Sequence, residues 1–151
     1  MSGPSPLLLS LPAAHRERLL GLAHARTFPA GHRLFEEEGD ADRFWLIRQG
    51  EIALDLHAPG KRTPVIETLG PGQQVGWSWI FPPYRWHLGA RALDAVDTWE
   101  FDAAKVRELC AMETEFGYEL MRCCAAVIAD RLQATRIRLL DLYAPRPDGP
   151  A

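Results

Sequence analysis

The side chains best suited to binding a small molecule are concentrated between Gly76 and His87. This stretch contains three of the chain's five tryptophans, together with Phe81, Tyr84 and Arg85. Aromatic rings stack on planar groups, and a guanidinium adds a contact to an anion or to a ring face. The composition of the segment therefore predicts a site for a flat, anionic ligand. The alternative interpretation is that the same aromatic side chains fill a hydrophobic core.

Outside this segment, the residue types that could support catalysis or bind a metal are not spaced as such sites require. The five histidines are not spaced as metal ligands, and the carboxylates of the run 36–38 alternate in direction along an extended chain. No nucleophile elbow, phosphate-binding loop or pair of catalytic carboxylates is recognisable. Cys110, Cys123 and Cys124 fall in segments predicted to be helical, where cysteine usually serves as a small buried hydrophobe. The sequence predicts a protein that is not an enzyme, with no metal site and no certain cofactor.

Length and composition are those of one globular domain. The chain has 151 residues, of which 47% are hydrophobic and 25% charged, as in ordinary globular proteins. A net charge of −3 gives no overall basic surface for nucleic acid or anionic lipid. The apolar run 7–9 is broken by Ser10 and Pro12, so it fits neither a signal peptide nor a membrane anchor. These features predict a cytoplasmic protein that binds neither DNA by itself nor a membrane.

Short β-strands must position the aromatic segment, because β-prone stretches alternate with regularly spaced glycines before it. Examples of such stretches are residues 43–48, 51–56 and 64–69. The glycines recur about every ten residues, at Gly31, Gly39, Gly50, Gly60 and Gly70, which is the turn spacing of an all-β sandwich or roll. The strand 51–56 alternates acidic and apolar side chains and is predicted to be half-buried. Ahead of the strands, Ser10 and Pro12 predict an opening helix over about residues 11–24.

Two helices are predicted after the strands. Asp102 is a good N-cap for a short helix over Ala103–Met112, and a long helix is predicted over Glu113–Tyr143. Apolar spacing of four and three residues, as in a coiled coil, defines what we call the seam: Met121, Ala125, Ile128, Leu132, Thr135, Leu139 and Leu142. A second apolar face carries Phe116, Leu120, Cys124 and Val127. We expect one face to pack on the strands and the seam to form a homodimer; the alternative is that both faces are buried within one chain.

The glycines and their neighbours resemble a known family. The resemblance is carried by residues 28–35, 38–47, 50–52, 69–72, 75–76 and 91–93, with Asp102 opening the helices. These segments are similar to the cyclic nucleotide-binding domain of catabolite-activator-type regulators, which also occurs in kinase regulatory subunits and channels. The resemblance implies an α+β fold in which an antiparallel β-roll (a double-stranded β-helix or jelly roll, about 26–101) follows an N-terminal helix and precedes two C-terminal helices (about 102–143). It implies one domain over 11–143, with flexible tails at 1–10 and 144–151.

The segment from Gly76 to Ala92 departs from the family pattern at the ligand contacts. In the family this is the phosphate-binding cassette, a short helix whose amides and a following Arg hold the cyclic phosphate, with a Glu after the glycine for the ribose. Here Trp77 stands at the Glu position and Trp86 at the Arg position, while Arg85 lies one residue away. The dipeptide 82–83 is Pro-Pro, which would stop a helix. The resemblance thus makes standard cyclic AMP binding doubtful.

The stretch 131–135 resembles the part of the catabolite activator in which a Thr touches the purine from across the dimer. The resemblance gives Thr135 that role, and the alternative is that Thr135 packs within the seam. The candidate ligand-binding residues are therefore Gly76, Trp77, Ser78, Arg85, Trp86, His87 and Thr135.

Two functions follow from these observations. The first is a non-enzymatic, stand-alone ligand-sensing or regulatory module that binds a nucleotide-like or other flat anionic ligand. The alternative is a protein-interaction or accessory subunit of a larger complex, by analogy a redox complex, that has lost ligand binding. Family regulators carry a helix-turn-helix after the long helix, whereas this chain ends eight residues after Tyr143, so DNA binding is expected to need a partner.

Overall fold

A computed structural model describes residues 6–56 and 64–144. These residues form four helices and eight strands: α1 (Pro6–Ser10), α2 (Ala13–Leu20), β1 (His24–Phe28), β2 (Arg33–Phe35), β3 (Arg43–Gln49), β4 (Ile52–Asp55), β5 (Val65–Leu69), β6 (Gln74–Val75), β7 (Gly89–Ala92), β8 (Val96–Asp102), α3 (Ala103–Met112) and α4 (Thr114–Tyr143). The strands form two four-stranded antiparallel sheets, in the orders β1-β8-β3-β6 and β2-β7-β4-β5. Both sheets contribute to one hydrophobic core. The expected β-roll with flanking helices is confirmed.

A glycine turn joins the two sheets at Gly50, between β3 and β4. Its φ is +92°, and a Cβ there would lie 2.5 Å from the carbonyl oxygen of Ala95. Only glycine adopts this conformation without a steric cost. The turn that the glycine spacing predicts is therefore present at Gly50.

The C-terminal helices begin where the sequence predicts. The Asp102 side chain accepts a hydrogen bond from the Lys105 amide at 3.2 Å, which is the N-cap of α3. Helix α4 crosses α3 at Gly117, where a Cβ would lie 2.6 Å from the carbonyl oxygen of Cys110. The first part of α4 is buried in the core, and its second half is largely exposed. Burial raises the pKa of the Cys124 thiol to about 12, as expected for a structural cysteine.

The N-terminus differs from the prediction of one helix over 11–24 and a flexible tail over 1–10. The structure has two short helices separated at Pro12, and the first of them, α1, falls within the predicted tail. Leu7 and Leu8 are buried there because α1 packs against α4, and Arg16 donates a hydrogen bond to the Leu8 carbonyl oxygen at 2.8 Å. Residues 1–5 and 145–151, the rest of the predicted tails apart from Ala144, lie outside the described residues, as does Gly60.

Strand β4 also differs from its predicted half-buried pattern, because all four of its residues are buried. Asp55 is accommodated by Arg33, whose guanidinium donates to both carboxylate oxygens at 2.6 and 2.9 Å. A buried carboxylate is tolerated when it is paired in this way.

None of the helices within residues 6–56 and 64–144 combines the length and the apolar character needed to span a membrane.

Candidate ligand-binding site

The last four residues of the segment from Gly76 to Ala92 form β7, and the remainder, residues 76–88, is called the cassette below. It is built from turns and contains no helix. The Ile80 amide donates to the Trp77 carbonyl oxygen at 3.0 Å, and the Tyr84 amide donates to that of Phe81 at 2.9 Å. The peptide bond between Pro82 and the following proline is cis. The row of helical amides that would hold a phosphate is therefore missing from this segment.

Two cassette tryptophans are core residues. Trp79 is fully buried and stacks on Phe44 with ring centroids 4.2 Å apart. Trp86 is 4% exposed and stacks on Phe35 at 3.9 Å. Its six-membered ring covers Gly76 so closely that a Cβ there would lie 2.5 Å from two ring atoms, and the φ of this glycine is +93°. The core interpretation of the aromatic segment therefore applies to these two indoles.

Helix α3 fixes the cassette from one side. Arg107 donates a hydrogen bond to the carbonyl oxygen of Trp79 at 2.7 Å, and its guanidinium lies over the Tyr84 ring at 4.0 Å from the ring centre. These contacts hold the turns in place without a cassette helix. The cassette is consequently positioned by a side chain of α3, which lies about 20 residues or more further along the chain.

An inner cavity of about 110 Å³ lies between the cassette, the second sheet and α4. Its lining residues are Phe35, Leu54, Glu67, Gly76, Trp77, Ser78, Trp86, His87, Leu88 and Arg131. At its rim the Ser78 hydroxyl lies 3.2 Å from Nδ1 of His87. Five of the seven predicted ligand-binding residues therefore meet around one cavity.

Arg131 of α4 completes this cavity and was not among the predicted site residues. Its guanidinium lies 4.1 Å from the centre of the Trp77 ring, and its Nη2 donates to the carbonyl oxygen of Gln74 at 2.6 Å. Its Nη1 is buried and has no hydrogen-bond partner. Burial lowers the pKa of Arg131 to about 10, and the negative charge of Glu67 opposes this shift. Its proximity to Thr135 in the sequence was the one signal that could have pointed to it.

Arg85 lies in a separate outer groove of about 370 Å³. The groove is lined by Glu38, Trp77, Ser78, Phe81, Pro82, Pro83, Arg85, Trp86 and His87, and it shares four of these residues with the inner cavity. The Arg85 side chain is 58% exposed, donates to the Glu38 carbonyl oxygen at 2.8 Å and lies 3.6 Å from a carboxylate oxygen of Asp40. It is therefore paired at the rim and does not line the inner cavity.

Thr135 lies on the exposed second half of α4, and the seam runs along most of the helix. The Thr135 hydroxyl donates to the carbonyl oxygen of Arg131 at 2.9 Å, and the residue lines neither the cavity nor the groove of its own chain. Within the seam, Met121 and Ile128 are half-buried, and the other members are exposed: Ala125, Leu132, Thr135, Leu139 and Leu142.

Across residues 6–56 and 64–144, no group of three or more His, Cys, Asp or Glu side chains is arranged to hold a metal ion.

Comparison with known proteins agrees with this architecture. The model of the cyclic nucleotide-binding domain family matches residues 25–113. A CRP-like cAMP-activated global transcriptional regulator of Mycobacterium tuberculosis is 30% identical over 115 residues, which cover 76% of this chain and 50% of that protein. The chain thus spans about half the length of the curated relatives it matches.

Solved structures show the same fold. A protein from Geobacter metallireducens GS-15 is 25% identical with a TM-score of 0.74, and the match covers 83% of this chain and 91% of that one. A cyclic nucleotide-binding domain from Methylobacillus flagellatus KT is 17% identical with a TM-score of 0.79, and that match covers 91% of this chain and 77% of the other. From the family match and the shared β-roll, the chain belongs to the cyclic nucleotide-binding domain family.

Proposed function

We propose that this protein is a non-enzymatic regulatory module that binds a nucleotide-like or other flat, anionic ligand at the cassette. The observation that carries the proposal is the inner cavity, which is walled by the cassette on one side and by Arg131 of α4 on the other. A ligand there contacts Trp77, whose ring is a stacking surface, and a cationic guanidinium. The same ligand joins the cassette to the long helix, which gives the module a means of response.

Cyclic AMP itself fits this site poorly. Trp77 offers no acceptor for a ribose hydroxyl, and loss of one charge-assisted hydrogen bond costs about 1.5–3 kcal/mol. The cassette has no helix to hold the cyclic phosphate. The inner cavity, at about 110 Å³, is smaller than the roughly 300–1,000 Å³ typical of ligand pockets. A smaller ligand, or one that extends into the outer groove, agrees better with the dimensions.

The proposed module is a homodimer that associates through the seam of α4. Support comes from the exposed leucines of the seam, which leave an apolar stripe along the helix. In such a dimer, Thr135 faces the second subunit and contributes to its ligand site, as the family resemblance implies. The cytoplasmic location belongs to the same proposal.

A second candidate is an accessory subunit that docks on a larger complex, of redox type by analogy. It is favoured by Phe81, which is 63% exposed at the tip of the Pro-Pro turn, and by the two indoles that fill the cassette interior. If the protein is such an accessory subunit, replacement of Phe81 with Ser should prevent its association with the complex in cells. Tyr118→Ser on α4, at a ring that is 66% exposed, is the matched control and leaves the complex unchanged.

Native mass spectrometry of the purified protein tests the ligand-binding proposal. A small molecule should co-purify with the wild type and be lost in Trp77→Ala. Trp99→Ala is the matched control, because Arg48 lies over the Trp99 ring at 4.2 Å, almost as Arg131 lies over Trp77. Absence of any bound small molecule, together with loss of complex formation in Phe81→Ser, would favour the accessory subunit.

A further inference from the structure

Arg131 has a buried hydrogen-bond donor that is left without an acceptor. Among the side chains that the structure describes, Nη1 of Arg131 is the one buried nitrogen or oxygen without a hydrogen-bond partner in a residue that is not itself exposed. The guanidinium has a ring on one face and a single carbonyl acceptor, at Gln74. An indole offers a π face but no acceptor atom. The cation therefore has unused hydrogen-bonding capacity inside the protein.

A buried cationic donor without an acceptor is costly, and an anion in contact with it removes that cost. Arg131 lines the inner cavity, so an anion in that space can reach the guanidinium. Ser78 and His87 at the same cavity supply further polar groups. Glu67 also lines the cavity and attracts the Arg131 guanidinium, so its negative charge opposes a second anionic group in the same space. The volume of about 110 Å³ also limits the cavity to a single small group.

Given the proposed function, we infer that Arg131, and not Arg85, receives the anionic group of the ligand, and that this group is a single phosphate or carboxylate seated in the inner cavity. Arg85 already has an acceptor in the Glu38 carbonyl oxygen and a carboxylate neighbour in Asp40, and it is mostly exposed. The flat part of the ligand then extends past Trp77 into the outer groove, since Trp77 lines both spaces.

In this assignment, the residue that binds the anionic group of the ligand, Arg131, lies on the same helix as the seam. Arg131 directly precedes Leu132 and accepts a hydrogen bond from Thr135 through its carbonyl oxygen. The residue that contacts the anion is therefore adjacent to a part of α4 that is exposed in the single chain. The anion site and the association surface are neighbours on one helix.

Two probes test the assignment: inorganic phosphate and benzoate, a flat carboxylate. Each is titrated at constant ionic strength, with thermal unfolding and tryptophan fluorescence as readouts. We expect at least one probe to bind the wild type and raise the melting temperature by roughly 3–6 °C at ten times its dissociation constant. Arg131→Gln keeps a donor for the Gln74 carbonyl oxygen but removes the charge, and it should weaken binding roughly tenfold to a hundredfold.

Arg48→Gln is the matched control, because the Arg48 guanidinium lies over the Trp99 ring at 4.2 Å and the residue lines neither the cavity nor the groove. It should bind the probe within about twofold of the wild type. Arg85→Gln is the competing variant, and a loss of probe binding larger than that of Arg131→Gln would overturn the inference.

Arg131→Met adds a readout that a structural arginine would not give. Without anion its melting temperature should stay within about 4 °C of the wild type, because removal of a buried cation with an open donor offsets loss of the hydrogen bond to the Gln74 carbonyl oxygen. Its response to the probe should be lost. A large loss of stability in both Arg131 variants without anion would mean that the arginine is structural, and it would overturn the inference.

A crystal grown with selenate gives a measurement that needs no variant. A selenium anomalous peak within contact distance of Nη1 of Arg131 supports the assignment, and a peak only beside Arg85 overturns it. If a ligand co-purifies with the wild type and is lost in Arg85→Gln but retained in Arg131→Gln, the inference fails and the proposed function stands. If neither probe binds and no ligand co-purifies, both fail.

Discussion

Replacement of Leu132 with Asp should dissociate the proposed dimer while leaving the fold of each chain intact. Leu132 lies at the centre of the seam and is 50% exposed in the single chain. Burying the exposed half of a leucine is worth about 0.8–1.5 kcal/mol, half the value for full burial, and a two-fold symmetric interface contains this residue twice. An unpaired carboxylate buried at an interface adds about 3–5 kcal/mol. The total for both copies, at least about 7 kcal/mol, weakens dimerisation by about five orders of magnitude or more.

Sedimentation equilibrium of the purified proteins measures this change. Ile137→Asp is the matched control, because Ile137 is 51% exposed on the same helix but lies outside the seam. It should alter the dissociation constant by less than about threefold, in line with an ordinary surface substitution. Circular dichroism should show the same helix content in both variants. A monomeric wild type, a dimeric Leu132→Asp, or equal effects of the two substitutions would refute the assignment of the seam.

Four further outcomes are expected. Titration calorimetry with cyclic AMP and cyclic GMP should show binding weaker by roughly two to four orders of magnitude than a site with the ribose carboxylate and a well-placed phosphate arginine, since each contact is worth about 1.5–3 kcal/mol; a micromolar or tighter constant contradicts this. In a gel shift at low salt, the 151-residue chain should enrich no sequence from a random DNA library, because its net charge of −3 gives no overall basic surface for phosphate contacts. Gly76→Ala should lower the free energy of unfolding by about 2–4 kcal/mol in urea titrations, because its Cβ would overlap the Trp86 ring and its φ is positive; Gly70→Ala, with open space around it, is the control, and equal effects would disprove the reason. The Cys124 thiol should not react with a disulfide reagent at pH 8 in the native protein, because its pKa of about 12 leaves it protonated and it is buried; rapid labelling without denaturant would count against this.

Ligand binding and dimerisation are linked in this interpretation through α4. The cassette contacts the helix at Arg131, and the next residue, Leu132, is an exposed member of the seam. A ligand that binds the dimer more tightly than the monomer must, by linkage, strengthen dimerisation by the same factor. Measurement of the dimer dissociation constant with and without the ligand therefore reports on the site and on the seam in one experiment.

The fold was predictable from the sequence because its signals are local. The N-cap at Asp102 and the limits of α3 depend on residues within one helical turn, and both agree with the structure. Glycine spacing marked turns such as Gly50, whose backbone geometry excludes other residues at low cost. The departures of the cassette at Trp77 and Trp86 were also visible, because they concern residue types at fixed positions. The local features indicated an all-β unit followed by two helices, and the resemblance to the family specified the β-roll.

The roles of the site residues depended on contacts between distant parts of the chain. The indoles at positions 77 and 86 both line the inner cavity but have different neighbours, because Trp86 stacks on Phe35 of β2 whereas Trp77 lies against the guanidinium of Arg131 on α4. The pattern of residue types could not separate these roles, nor could it show that α1 is held by α4. Arg131 lies 57 residues from its acceptor at Gln74. Whether an arginine is paired, exposed or left with an open donor is decided by which strands and helices meet around it, and only the tertiary structure brings those elements together.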